Sequence, residues 1–194
     1  MKRITGSLAV GAAVVGMAVA ALASGASAGV GTRHATSTTA PPVTGTSPTH
    51  NMFFYVDTVQ GFGGSPKPPV TCAQTNEFTE GQLVVFRMFG LNIPDGGGAL
   101  TADNVKSATV SIPGVAQPIA FNYGSHGKVN PVSFWSTAWS TAGYSNFGVV
   151  DFVVTVVTNP IPANAHHGAI PSLTGHFSQR GLSASSRLTI NPGA

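Results

Sequence analysis

Val150-Asp151-Phe152-Val153-Val154-Thr155-Val156 decides the reading of this chain: Val150, Phe152, Val154 and Val156 fall on one face, and Asp151, Val153 and Thr155 on the other. Side chains alternate across a β-strand, so a period of two with one apolar set describes a strand with a buried face and a wet one. The same period recurs upstream. Val84, Phe86 and Met88 share a face that Arg87 avoids; Ala108, Val110 and Ile112 alternate with Ser107, Thr109 and Ser111; Ile119, Phe121 and Tyr123 share a third. Met52 to Val59, Phe134 to Trp139, Thr174 to Gln179 and Arg187 to Asn191 complete about eight strands. Outside the first residues no segment carries a 3.6-residue period.

The connections set the pairing. Pro94-Asp95-Gly96-Gly97-Gly98 lies between two strands, Pro113-Gly114 follows one directly, and Gly124 to Pro131 places glycines on both sides of His126. Such loops are too short for helical crossovers, which favours antiparallel over parallel neighbours. The longer Asn159 to Ser172 connection, with three prolines and the pair His166-His167, is expected to be an exposed loop between two late strands.

Three tracts carry a family resemblance. Glu80-Gly81-Gln82-Leu83-Val84-Val85-Phe86-Arg87, then Phe134-Trp135-Ser136-Thr137-Ala138-Trp139, then Tyr144 to Val154 form a succession that resembles secreted bacterial immunoglobulin-like β-sandwich domains of a poorly characterised single-domain family. The resemblance spans Asp57 to Ile190 and is most specific from Trp135 to Thr155. It implies an all-β, immunoglobulin-like antiparallel β-sandwich of about 7–8 strands in an extracellular setting, and carries no catalytic residue across. With one cysteine in the chain, the tryptophan has no accompanying disulfide, which departs from the antibody pattern.

The opening residues give an address. Met1-Lys2-Arg3, the fifteen-residue apolar run Leu8 to Leu22 and Ala26-Ser27-Ala28 have the layout of a signal peptide cleaved before Gly29. The run is shorter than the roughly 20 residues that span a bilayer, and Cys72 is far from the new N-terminus, so no membrane anchor is expected after cleavage. Residues 29–51 are rich in Thr, Ser, Pro and Ala and read as a disordered linker; residues 52–194 form the domain. The predicted location is secreted, extracellular or envelope-associated. Without Lys2 and Arg3, seven basic residues face six acidic ones, which leaves no basic stripe for nucleic acid.

The chemical inventory is thin. Gly25-Ala26-Ser27-Ala28-Gly29 matches a nucleophile-elbow string but straddles the predicted cleavage site, and no other copy exists. Asp95-Gly96-Gly97-Gly98 lacks the lysine of a phosphate loop and the ligand series of a calcium loop, and no other cofactor string is present. Cys72, His126, His166, His167 and His176 are candidate metal ligands, since thiolate and imidazole suit copper or zinc. The bland alternatives are a small buried apolar role for Cys72 and solvated loop positions for the histidines. Trp135 and Trp139, four apart in one strand, project from one face and could stack on sugar rings; the alternative is that both fill the core, which would leave Phe134 and Ala138 on an unusually apolar outer face. The six carboxylates Asp57, Glu77, Glu80, Asp95, Asp103 and Asp151 show no spacing that would establish a catalytic pair.

These readings converge on an exported, non-enzymatic binding or interaction module with an extracellular or envelope protein as partner. Two alternatives remain, extracytoplasmic metal handling and carbohydrate binding.

Overall fold

A computed structural model describes residues 43–46 and 51–193; the expected signal segment 1–28 and most of the expected linker lie outside the described residues. The described chain is all-β. Its strands are β1 (Val43–Thr46), β2 (Met52–Gly64), β3 (Glu77–Thr79), β4 (Gln82–Asn92), β5 (Gly98–Ala99), β6 (Val105–Ser111) and β7 (Ile119–Ala120). They continue as β8 (Asn122–His126), β9 (Val132–Ser140), β10 (Gly148–Val149), β11 (Val153–Thr158), β12 (Thr174–Ser178) and β13 (Thr189–Asn191). Among the described residues the only helical segments are three single 3-10 turns, and no helix is long and apolar enough to cross a membrane.

Two antiparallel sheets lie face to face. The larger has the order β1-β2-β4-β9-β8, with β5 on the end of β4, and the smaller has the order β12-β11-β6-β7. Phe54, Val56, Phe86, Met88, Trp135 and Trp139 point inward from the first, and Val110, Val154, Val156 and Phe177 from the second, into one continuous core. Each such side chain contributes about 1.5–3 kcal/mol on burial. The sheets approach closely at Gly175 of β12, where an added Cβ would stand 2.6 Å from the Met52 sulfur and 2.8 Å from the Phe54 ring. Only glycine lets that strand seat on β2.

A third, small sheet of order β10-β13-β3 closes one end, and in it β13 runs parallel to β3. This pair departs from the antiparallel expectation because its strands are more than a hundred residues apart, so no short crossover has to join them. Phe78, Leu188 and Ile190 from this corner are fully buried and extend the core.

Two strands expected as units are divided, and one strand forms inside the expected linker. The run Ile119 to Tyr123 serves both sheets: β7 pairs with β6, β8 pairs with β9, and buried Phe121 is the crossing point, its N–H still bonded to Ala108 O at 2.9 Å. Val150 to Val156 is broken by a tight bend in which the Phe152 N–H turns back to Val150 O at 3.0 Å. The apolar alternation survives the bend because Val150 and Phe152 both face the core. Within the expected linker, Val43–Thr46 pairs with Thr46↔Phe53 to Val43↔Val56 on β2, whose open edge offers backbone donors and acceptors to an extended segment. Among the described residues thirteen strands thus stand where about eight were expected, the surplus being two- to five-residue pieces with too little length for a period.

Phe152 ties the bend to both sheets: its ring meets Phe86 edge-on at 4.9 Å and lies 6.0 Å from Phe177. Phe152→Ala should cost about 3–5 kcal/mol in equilibrium denaturant unfolding, the range for a large core aromatic; a loss under 1 kcal/mol would refute this placement.

Candidate functional site

Because β4 buries Val84, Phe86 and Met88, the period of two sends Leu83, Val85, Arg87, Phe89 and Leu91 to the outer face of the large sheet. The register sets Phe53 opposite Leu91, Tyr55 opposite Phe89, Asp57 opposite Arg87 and Val59 opposite Val85. On the other side Arg87 faces Ser136 and Val85 faces Ala138. An outer face of this kind is normally polar. Here Phe89 is 45% exposed, Leu91 39%, Val132 52% and Phe62 73%.

One charge pair interrupts this apolar surface. Arg87 Nε donates to Asp57 Oδ1 at 2.8 Å and Nη2 to Asp57 Oδ2, a two-pronged contact in which the carboxylate side chain is only 3% exposed. The hydrogen bonds it donates to Asp57 hold the guanidinium above even its usual high pKa. Its carbon lies 6.0 Å from the Phe134 ring centroid, and the His126 ring stacks on the other part of that surface at 3.9 Å and 14°. The His126 Nε2 comes within 3.3 Å of Ser136 Oγ. A hydroxyl–imidazole contact is the first requirement of an activated nucleophile, but among the described residues no carboxylate orients Nδ1.

Residues 72–75 roof one side. They follow β1 along the edge of β2: the Gln60 N–H bonds Ala73 O at 2.9 Å, the Cys72 N–H bonds Gln60 O at 2.7 Å, and the Thr75 N–H bonds Thr58 O at 3.1 Å. Cys72 takes a left-handed φ of 60° there and is exposed, not buried as a small core residue would be, because its segment lies on the sheet edge and outside the sandwich. Beneath it opens a groove of about 520 Å³ whose lining includes Val59, Phe62, Val85, Val132 and Phe134 with Cys72, Arg87, His126 and Ser136.

The remaining candidates are dispersed. His167 sits 3.2 Å from Asp95 and 2.8 Å from Asn164 Nδ2, where the 159–172 connection meets the turn after β4; exposed His166 shares that hollow. His176 contacts Thr155 Oγ1 at 3.1 Å on the outer face of the opposite sheet. The five proposed metal ligands therefore divide: Cys72 and His126 line the groove, His166 and His167 the hollow beside Asp95, and His176 neither; among the described residues no three His, Cys, Asp or Glu side chains converge on a metal site. Trp135 and Trp139 are each 6% exposed and face the core, so the sheet presents no paired indole platform. The Trp135 indole N–H donates to Leu100 O at 2.8 Å, and Trp139 packs edge-on against Tyr144 at 4.9 Å. Asp151 is held between Arg187 at 3.2 Å and Arg180 at 3.4 Å, and Glu80 accepts the Gly143 N–H at 2.8 Å.

Asp57, Arg87, Phe134 and Ser136 were not singled out as site residues in the sequence. Their signal was present in the alternation: once both tryptophans face inward, Phe134 and Ser136 must face outward beside Arg87. Comparison of the chain with protein-family models, with curated proteins and with solved structures finds no match.

Two outcomes check this geometry. Cys72 should react stoichiometrically with an aromatic disulfide reagent in the folded protein without denaturant; a thiol that reacts only on unfolding would contradict its placement. Burial first, and the Asp57 carboxylate second, raise the Tyr55 phenol above the usual 10.0, and burial raises Tyr144 likewise. A pKa raised by folding gives stability that is complete below the unfolded value and is lost as pH climbs through the folded one. Melting temperature should therefore fall above about pH 10, and Tyr55→Phe should flatten part of that fall, leaving the Tyr144 part.

Proposed function

We propose that the protein is an exported, non-enzymatic binding module of immunoglobulin-like sandwich type that recognises its partner through the outer face of its large sheet. The observation that carries this reading is the concave apolar groove itself, about 520 Å³ in volume and outside the core. Folding does not require Phe62, Val132 or Phe134 on that face, and apolar surface left concave and open is the usual mark of a binding site. Two face-to-face antiparallel sheets, joined by a strand that changes sheets at Phe121, support the immunoglobulin-like assignment. The non-enzymatic reading draws on the engagement of Asp57, Asp95, Asp151 and Glu80 in separate structural contacts. Export rests on the layout of the first 28 residues.

Nile red, a neutral apolar dye, should bind the folded protein saturably with an emission blue shift. Val132→Asp, at an exposed groove position where stability should change by no more than about 0.5 kcal/mol, should abolish the shift. Dye binding indifferent to that substitution, or turnover of a substrate in a secreted-hydrolase panel, would overturn the reading.

A further inference from the structure

The groove sorts its lining by chemistry. Val59, Val85 and Phe62 lie to one side of the Asp57-Arg87-Ser136 row and Val132 and Phe134 to the other; Arg87 and Ser136 stand between them, and His126, opposite Val132, leans over Phe134 to reach Ser136. These polar groups are donors or can become donors. The acid on this face is already spent: both Asp57 oxygens accept from Arg87, and Oδ2 also lies 3.5 Å from the Tyr55 hydroxyl.

Arg87 is not exhausted by that pair. A guanidinium carries five N–H donors, and Asp57 takes one from Nε and one from Nη2. Among the described residues the other three have no partner, while the side chain remains 32% exposed toward the groove it lines. Ser136 is its direct cross-strand neighbour, about 4.5–5.5 Å away from backbone to backbone, and His126 closes on the same Ser136 hydroxyl. An acceptor group over Ser136 meets a fixed cation, a hydroxyl and an imidazole together. Lys128 adds an exposed positive charge in the turn between the lining residues Gly127 and Val132.

We infer that the groove takes a small amphipathic organic anion, an alkyl or aryl body ending in one carboxylate, with the head over Ser136 and the body along Val59, Val85 and Phe62. This rests on the binding-module reading and names the ligand class of the same site. A planar carboxylate matches the free edge of a guanidinium, and the charge-assisted bonds it would make are the strong kind. Because Asp57 already offsets one charge, a monoanion suits the site better than a phosphate dianion. The volume falls within the roughly 300–1,000 Å³ of small-molecule sites.

The test is displacement of Nile red from the full purified protein by decanoate, decan-1-ol and decyl phosphate, with direct calorimetry of decanoate. Decanoate should bind once per chain and at least about tenfold more tightly than decanol, the factor that one charge-assisted hydrogen bond supplies. Ser136→Ala and His126→Ala leave the Asp57–Arg87 pair intact; each should weaken decanoate about fivefold or more, and decanol by a smaller factor. Equal binding of decanoate and decanol, or tighter binding of decyl phosphate, would overturn the carboxylate assignment while the apolar binding reading stood. Decanoate affinity unmoved by both substitutions would place the head elsewhere and overturn it too. If neither the dye nor any of the three binds, both readings fall together.

Discussion

The inward burial of Trp135 and Trp139 sets the rest of the molecule. Two indoles from one strand remove several hundred Å² of apolar surface from water, on the order of 150–250 Å² each, and Trp135 is fixed further by its N–H on the Leu100 carbonyl. A strand has only two faces, so a one-residue slip would expose both rings at once. That penalty pins β9, and β9 through its register pins Arg87 opposite Ser136 and Val85 opposite Ala138. The groove is therefore positioned by the core on the other side of the same strands.

How far the sequence discloses this depends on length and on which face is asked about. Long alternating runs such as Gln82–Asn92 were legible because each apolar position repeats the same vote. The bend at Val150 to Phe152 was not, since alternation is a statement about faces and continues unbroken through a change of hydrogen-bonding partner. The switch at Phe121 escaped for the same reason: Ile119, Phe121 and Tyr123 all lean on the core although the backbone on either side of Phe121 belongs to different sheets. Cys72 misled because small apolar character is only an average tendency; its position follows from three backbone hydrogen bonds to the β2 edge, which no side-chain pattern reports. The unusually apolar outer face followed directly once the indoles were placed inside.

On that outer face the Asp57–Arg87 pair solves a local problem and creates a capacity. Arg87 stands among Val59, Val85 and Phe134, where a lone cation would be poorly solvated. Two hydrogen bonds to a nearly buried carboxylate hold its plane, and contact with Phe134 takes up one side of it. Removing either partner from such a pair strands the other, at a cost of about 3–5 kcal/mol for a buried pair and less where, as here, one member is part-exposed. The same rigidity keeps the unused N–H groups aimed in fixed directions, so recognition at this place would not first have to order a long side chain.

The parallel pairing of β13 with β3 has a temporal meaning. Leu188 and Ile190 are buried to 1% and 0%, and their strand is held by Glu77–Thr79, more than a hundred residues earlier in the chain. Contacts between such distant residues are assembled late, because the closing entropy of the intervening loop must be met before they reward it. An emerging polypeptide has no complete interior to collapse onto until residues 188–191 are present. Closure of this corner thus waits on β13, whose pairing partner β3 lies farther away along the chain than that of any other described strand.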